Sequence, residues 1–280
     1  MMPHTLNIVL AADNAYAPHV ETLLKSLCCH NRQMRVYLFH RNSHAPEWFD
    51  YINQQLHNFD SEIISAVVSQ TQLDHYPNQS HITSAAYYRF LMATLPHDRA
   101  LYLDRDLLVT GSLQSLYQMQ FSGCLLAAVQ DSVTARIDWR HPYNLHQQPY
   151  FNSGVLLADL TQWRRENIQQ KLLDTAQKIA HNVPFGDQCI LNYVCQNRWF
   201  PLPEHYNYQA GTEWLLANRG LSRKFSPPKN LPLIVHYTTP QKPWLLNTLP
   251  EHLPPPAYRQ LYWKYRQLSW VDVRAVAQNI

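Results

Sequence analysis

Glycine is scarce in this 280-residue chain: six glycines stand against 19 prolines. No G-x-G-x-x-G follows a strand-like run, which excludes the nicotinamide and flavin fingerprints, and no glycine-rich loop is present to cradle phosphates. Long apolar runs are missing too. No stretch approaches the roughly 18–20 residues that span a bilayer, and the opening MMPHTLNIVLAAD lacks a basic region followed by a long apolar core and cleavage site. C-x-x-C is absent. The five cysteines (Cys28, Cys29, Cys124, Cys189, Cys195) are odd in number and several sit in apolar runs, which reads as free buried thiols in a reducing compartment. The expected location is the cytosol. The net charge of +3, from 23 basic and 20 acidic residues, is too small to argue for a nucleic-acid partner. No internal repeat or low-complexity tract is visible.

With 46% hydrophobic and 15% charged residues the chain is an ordinary globular one, long enough for one large α/β domain with an appendage. Its first 70 residues alternate. Leu6–Ala12, Met34–His40 and Ile63–Val68 read as strands; Val20, Leu23, Leu24 and Leu27 have helical spacing, and a second helix is expected over 48–59. That β-α-β-α-β order predicts a parallel sheet covered by helices.

The stretch around which the chain is organised is LYLDRDLLVTG, residues 101–111. A short apolar run leading into Asp104-Arg105-Asp106 reads as a buried parallel strand, whose carboxyl end is where open α/β sheets bind ligands. Two carboxylates one residue apart can share a divalent cation, and that cation can hold a diphosphate; on D-x-D alone, a solvent-facing Asp pair is the commoner outcome. Other residues stand in similar places. Asp13 and Tyr16 follow the first strand, as a carboxylate able to accept from a base's ring N–H and a ring able to stack on it, although Asp-Asn after a strand is also a normal turn. Arg89 lies among apolar residues in a segment read as a capped helix (83–91). It either snorkels to the surface or, held inside, needs a partner such as the Asp pair. Asp131 ends a strand over 124–129, Asn152 and Gly154 open another at 151–157, and Asp187-Gln188 begin a helix that Asp187 could simply cap. One helix is expected over 163–180, loops over 70–82, 132–150 and 201–208, and a last strand at 233–237. From Pro254 onward, Tyr258, Leu261, Tyr262, Tyr265 and Leu268 share a helical face, with Arg259, Lys264 and Arg266 elsewhere. That face suits a membrane interface or packing on the domain.

Six segments in order, AADNAY (11–16), SAAYYRF (84–90), LYLDRDLLVTG (101–111), FNSGVLL (151–157), FGDQCILN (185–192) and HYTTPQKPW (236–244), resemble glycosyltransferase family 8, the retaining nucleotide-sugar transferases, and in particular its bacterial lipooligosaccharide and lipopolysaccharide galactosyl- and glucosyltransferases. The resemblance implies an α/β nucleotide-diphosphosugar transferase (GT-A type) fold, with a mixed, mostly parallel sheet. It covers about residues 6–245, so the expected organisation is a transferase domain over 1–250 followed by the aromatic, basic helical tail over 251–280. The resemblance further implies a UDP-galactose or UDP-glucose donor, a glycan or glycolipid acceptor and Mn2+ (or Mg2+); peripheral membrane contact is what the tail's own pattern allows. Carried over by motif, Asp104, Asp106 and His236 bind the metal. Asp13 and Tyr16 hold the uracil and Lys242 the phosphates, with Ala11, Arg105 and Thr239 also lining the donor site. Arg89, Asn152, Asp187 and Gln188 surround the donor sugar, Asp187 and Gln188 being the catalytic pair, and Asp131 faces the acceptor. Two departures stand out. Ala15 occupies a usual polar contact to uracil, and Thr239 replaces a glycine where backbone approaches the diphosphate. They support an alternative, a catalytically weak relative that binds nucleotide-sugar or glycan. A D-x-D phosphohydrolase fits less well, because about 100 residues of alternating β and α precede the pair.

Overall fold

The computed structural model describes residues 5–69, 84–138, 141–217, 219–221, 228–245 and 256–278, so the loop expected at 70–82 and the cap expected at Thr83 lie outside the described residues. Its strands are β1 (Leu6–Ala11), β2 (Met34–His40), β3 (Glu62–Val67), β4 (Arg99–Leu103), β5 (Leu107–Val109), β6 (Leu126–Gln130), β7 (Phe151–Asp159), β8 (Trp199–Leu202), β9 (Tyr208–Ala210) and β10 (Ile234–Tyr237). Its helices are α1 (Ala17–His30), α2 (Pro46–Leu56), α3 (Gln114–Tyr117), α4 (Leu160–Arg165), α5 (Ile168–Ile179), α6 (Gly186–Val194), α7 (Thr212–Ala217), α8 (Pro256–Gln267) and α9 (Trp270–Ala277).

Among the described residues the strands form two sheets, one in the order β3-β2-β1-β4-β7-β6-β8 and a small one in the order β5-β10-β9. In the large sheet every neighbour pair is parallel except those made by β7, which runs antiparallel to β4 and β6. The strands carry apolar residues on both faces because both faces are covered. Leu6, Ile8 and Leu10 of β1 join one core with Leu101 and Leu103 of β4, while Val9 joins the opposite core with Ala100 and Tyr102. Strand order reverses between β1 and β4, and the crevice at their carboxyl ends is the switch point where such sheets bind ligands.

Three segments differ from expectation. Residues Ser84–Thr94 wind as a 3-10 helix, and its Ala85 to Met92 are buried on every side, so tertiary packing rather than a solvent-facing stripe sets its pitch. The helix expected over 163–180 is two, α4 and α5, broken where Asn167 adopts φ 52°, a left-handed conformation that asparagine tolerates. Glu166 beside it pairs with Arg198 (Nη2–Oε1 3.0 Å). Inside the expected 201–208 loop, β8 ends and β9 begins.

The tail turns its aromatic face inward. Tyr258, Tyr262, Tyr265 and Trp270 are all buried, and α8 and α9 pack on α1, with Tyr262 Oη 2.6 Å from His19 Nδ1 and Tyr265 Oη 2.9 Å from His30 Nε2. Arg259 and Lys264 stay exposed. The face that a membrane would have met is therefore taken up by the domain, and no helix among the described residues is long and apolar enough to cross a membrane. Trp270 also donates from Nε1 to Glu21 Oε1 at 3.1 Å. Trp270→Ala is expected to lower stability by about 3–5 kcal/mol, read as a shifted denaturation midpoint.

Candidate active site

The D-x-D lies in the turn that carries the chain from the large sheet into the small one. β4 ends at Leu103, Asp104-Arg105-Asp106 form the turn, and β5 pairs antiparallel with β10 in a register that sets His236 opposite Leu107. Tyr237 N donates to Asp106 O at 3.0 Å, and Asp104 N donates to Gly154 O at 2.8 Å. Backbone pairing on both sides thus brings together residues from positions 104, 106, 154 and 236.

Asp104 Oδ2 lies 3.6 Å and Asp106 Oδ1 3.4 Å from His236 Nε2. The other carboxylate oxygens are held elsewhere. Asp104 Oδ1 accepts from Arg89 Nη2 (2.9 Å) and Tyr102 Oη (2.8 Å), and Asp106 Oδ2 accepts from Lys242 Nζ (2.6 Å). Behind the imidazole, Asn207 Nδ2 donates to Asn152 Oδ1 at 2.9 Å, so Asn207 Oδ1 accepts from His236 Nδ1–H at 3.0 Å. That bond leaves the Nε2 lone pair facing the carboxylates, the tautomer a metal-bound histidine uses. Gly154 completes the geometry, because a Cβ there would sit 2.1 Å from His236 Cε1 and 2.9 Å from Asp104 Oδ2. Three ligand atoms within 4.8 Å of one another, two hard oxygens and one imidazole nitrogen, fit a divalent cation.

Burial would raise the Asp106 carboxyl, but Lys242 and Arg105 hold it well below the usual carboxylate range. Asp187 behaves oppositely. Burial pushes it up to about 6, with Arg89 opposing and Asp104 adding to the rise. Arg89 is the shared counter-ion: it is buried, with Nε 3.1 Å from Asp187 Oδ2 and Nη2 on Asp104, and the two carboxylates raise its pKa against the effect of burial. Asp187 is not the cap of α6; it faces Arg89 and accepts from Ser153 Oγ at 3.3 Å. Next to it, Gln188 Oε1 accepts from Ser153 N (3.0 Å) and Asn152 Nδ2 (3.2 Å), while its Nε2 donates to Asp131 Oδ2 (3.2 Å). Asp131 in turn accepts at Oδ1 from Thr134 N at 2.9 Å.

Because the Asp187 pKa is raised from about 3.8 unfolded to about 6 folded, its stabilising contribution is complete below pH 4 and lost as pH rises through 6. In chelator, Asp187→Asn should gain stability relative to the parent between pH 4 and 7, by up to about 3 kcal/mol. Urea denaturation at the two pH values checks it.

Other expected site residues sit at the same edge with less freedom than foreseen. Arg105 lays its guanidinium 3.9 Å over the Tyr16 ring, so one face of the ring expected to stack on a base is covered. Ala11 is fully buried and offers no side-chain surface. Thr239 is 1% exposed and its hydroxyl donates to Gln241 O. It is not among the described residues with positive φ; the positive φ belongs to Gly211 (105°), whose missing Cβ makes room for the Thr239 methyl. Tyr102, Ser153 and Asn207 were not foreseen. Tyr102 was findable, two residues before Asp104 on the same strand face. Asn207 carries no local signal.

The family model described as glycosyl transferase family 8 matches residues 7–248. The chain belongs to this family. Among curated relatives, GlyF of Streptococcus pneumoniae, a glycosyltransferase, is 34% identical over 268 residues, covering 95% of this chain and 63% of its own. The chain thus spans less than two thirds of that relative's length. The crystal structure of apo GlyE, a glycosyltransferase of the same bacterium, superposes with TM-score 0.80 at 30% identity, over 97% of this chain and 62% of GlyE. The galactosyltransferase LgtC, solved with donor and acceptor sugar analogues, gives TM-score 0.74 at 22% identity over 96% of this chain and 95% of LgtC, which establishes the shared GT-A type fold.

Proposed function

We propose that the protein is a metal-dependent retaining hexosyltransferase that moves galactose or glucose from a UDP-sugar to a glycan, of the lipooligosaccharide or lipopolysaccharide kind, in the cytoplasm. The observation that carries this reading is the convergence of Asp104, Asp106 and His236 at the sheet's switch point, with Lys242 on one flank and the Arg89–Asp187 pair on the other.

Asp104, Asp106 and His236 would hold Mn2+ or Mg2+, which when bound neutralises charge on a departing diphosphate. Lys242 adds a second positive charge for the same oxygens, and the turn holding Asp13 and Tyr16 receives the uracil. Arg89 keeps Asp187 fixed beside the donor sugar with Asn152 and Gln188, and Asp131 orients Gln188 from the acceptor side. Residues 1–250 make up the catalytic domain in this reading, with 251–280 as its extension.

Gln188 is a poor nucleophile. Its amide is neutral, and its oxygen already accepts from Ser153 and Asn152. Retention then proceeds by same-face return, the departing phosphate helping to deprotonate the incoming hydroxyl, rather than by double displacement. A sugar trapped covalently on Asp187 or Gln188 would overturn that route.

The test needs no known acceptor. UDP release from a panel of UDP-sugars is measured with and without manganese. Manganese-dependent release from UDP-galactose or UDP-glucose is expected. Tight UDP binding with no release, in the presence of candidate glycans as well, would favour a nucleotide-sugar-binding relative.

A further inference from the structure

The turn after β1 and the loop after β2 lie side by side, and each presents a buried polar atom that nothing among the described residues satisfies. Asp13 Oδ1 and His44 Nε2 are closed off from water, and neither has a hydrogen-bond partner among the described residues. His44 is 5% exposed and wedged by three rings, with centroids 5.0 Å away for His40, 5.1 Å for Trp48 and 6.0 Å for Phe49. The loop reaches this position through Asn42, which takes φ 53°. Burial and His40 lower the His44 pKa to about 4, while the Asp13 charge, near enough to act on the ring, opposes them. The ring is therefore neutral and carries one N–H.

His44 Nδ1 is 3.2 Å from Ser43 Oγ, a hydroxyl that can donate or accept there. The nearby Asp13 carboxylate favours the tautomer in which Ser43 donates to Nδ1 and Nε2 carries the hydrogen. Asp13 then offers an acceptor and, close by, His44 offers a donor. The complement of that pair is a ring N–H next to a carbonyl. Uracil, thymine and guanine show this pattern; cytosine and adenine show the reverse, a bare ring nitrogen next to an amino group.

We infer that Asp13 and His44 read the base of the donor nucleotide together, His44 supplying the hydrogen bond that selects a keto base over an amino base. The inference rests on the nucleotide-sugar reading above and adds a residue to it. It also accounts for Ala15, an exposed methyl where the family resemblance implies a polar contact: the polar group arrives from the neighbouring strand. Discrimination is strong at such a pair because the wrong base leaves buried polar groups unpaired.

Calorimetry with UDP, dTDP, GDP, CDP and ADP, in manganese, on the full chain and on His44→Phe and His44→Gln, tests it. The parent is expected to bind UDP at least about 30-fold more tightly than CDP, with ADP as weak as CDP; among UDP, dTDP and GDP, the tightest identifies the keto base. His44→Phe keeps the ring packing and should reduce the UDP-to-CDP ratio at least about tenfold through weaker UDP binding, with binding of manganese alone unchanged. His44→Gln, whose amide donates, should restore much of the ratio. An unchanged ratio in His44→Phe, or a parent that binds UDP and CDP alike, overturns the base-reading pair and leaves the nucleotide-sugar reading standing. A parent that binds none of the five nucleotides overturns both.

Discussion

Asp106→Ala should abolish cation-dependent donor cleavage, lowering UDP release about a thousandfold while the far-ultraviolet spectrum of the folded chain persists. Asp106 contributes one of three converging ligand atoms and also fixes Lys242 Nζ at 2.6 Å. Its removal takes away a ligand and frees the lysine in one step. A cation on a departing diphosphate is worth several kcal/mol of transition-state stabilisation, and about 4 kcal/mol corresponds to the stated loss. The fold should survive because Asp106 lies in a turn between strands whose pairing is backbone to backbone. Asp106→Asn separates charge from shape: it keeps the volume, loses the anion that Lys242 and Arg105 face, and should be nearly as inactive. Turnover within threefold of the parent in either variant, with manganese dependence intact, would mean the cation sits elsewhere.

Much of the fold was legible because its strands are buried on both sides. Residues 8–11, 36–39 and 100–103 are continuous apolar runs, the pattern of strands covered on both faces. The small sheet was not legible in the same way. β5 and β9 are three residues each, and they exist only because β10 lies between them. The break at Asn167 was hidden by apolar residues that keep helical spacing across it; the left-handed asparagine conformation that interrupts them is a single-residue event.

The site divides along the same line. Asp104, Asp106, Asp131 and Asp187-Gln188 stand out because they end strands or begin helices, where chemistry concentrates in α/β proteins. Arg89 could be read as needing a partner, and Asp104 is one, but Asp187 as a second requires knowing that α6 begins beside β7. Asn207 and His44 are invisible to pattern. Each works through the unpaired end of another polar group, and that relation exists only once the strands are placed.

Gly154→Ala is expected to be the most damaging single-methyl change in the molecule. The added carbon would lie 2.1 Å from His236 Cε1 and 2.6 Å from its Nδ1. Neither side can yield cheaply: Gly154 O accepts from Asp104 N, Gly154 N donates to Asn152 Oδ1, and His236 is buried and held at Nδ1 by Asn207. Overpacking of this kind costs about 1–3 kcal/mol of stability. A displacement of the imidazole by about 1 Å is enough to reduce turnover about a hundredfold. A double-mutant cycle isolates the cause. In a His236→Ala background the nearest atom left to the new methyl is Asp104 Oδ2 at 2.9 Å, a side-chain tip that can shift, so the stability lost in Gly154→Ala should be largely recovered, while activity stays low because the ligand is gone. Equal destabilisation with and without the His236 ring would place the strain in the β7 backbone and remove the argument that this glycine exists to admit the histidine.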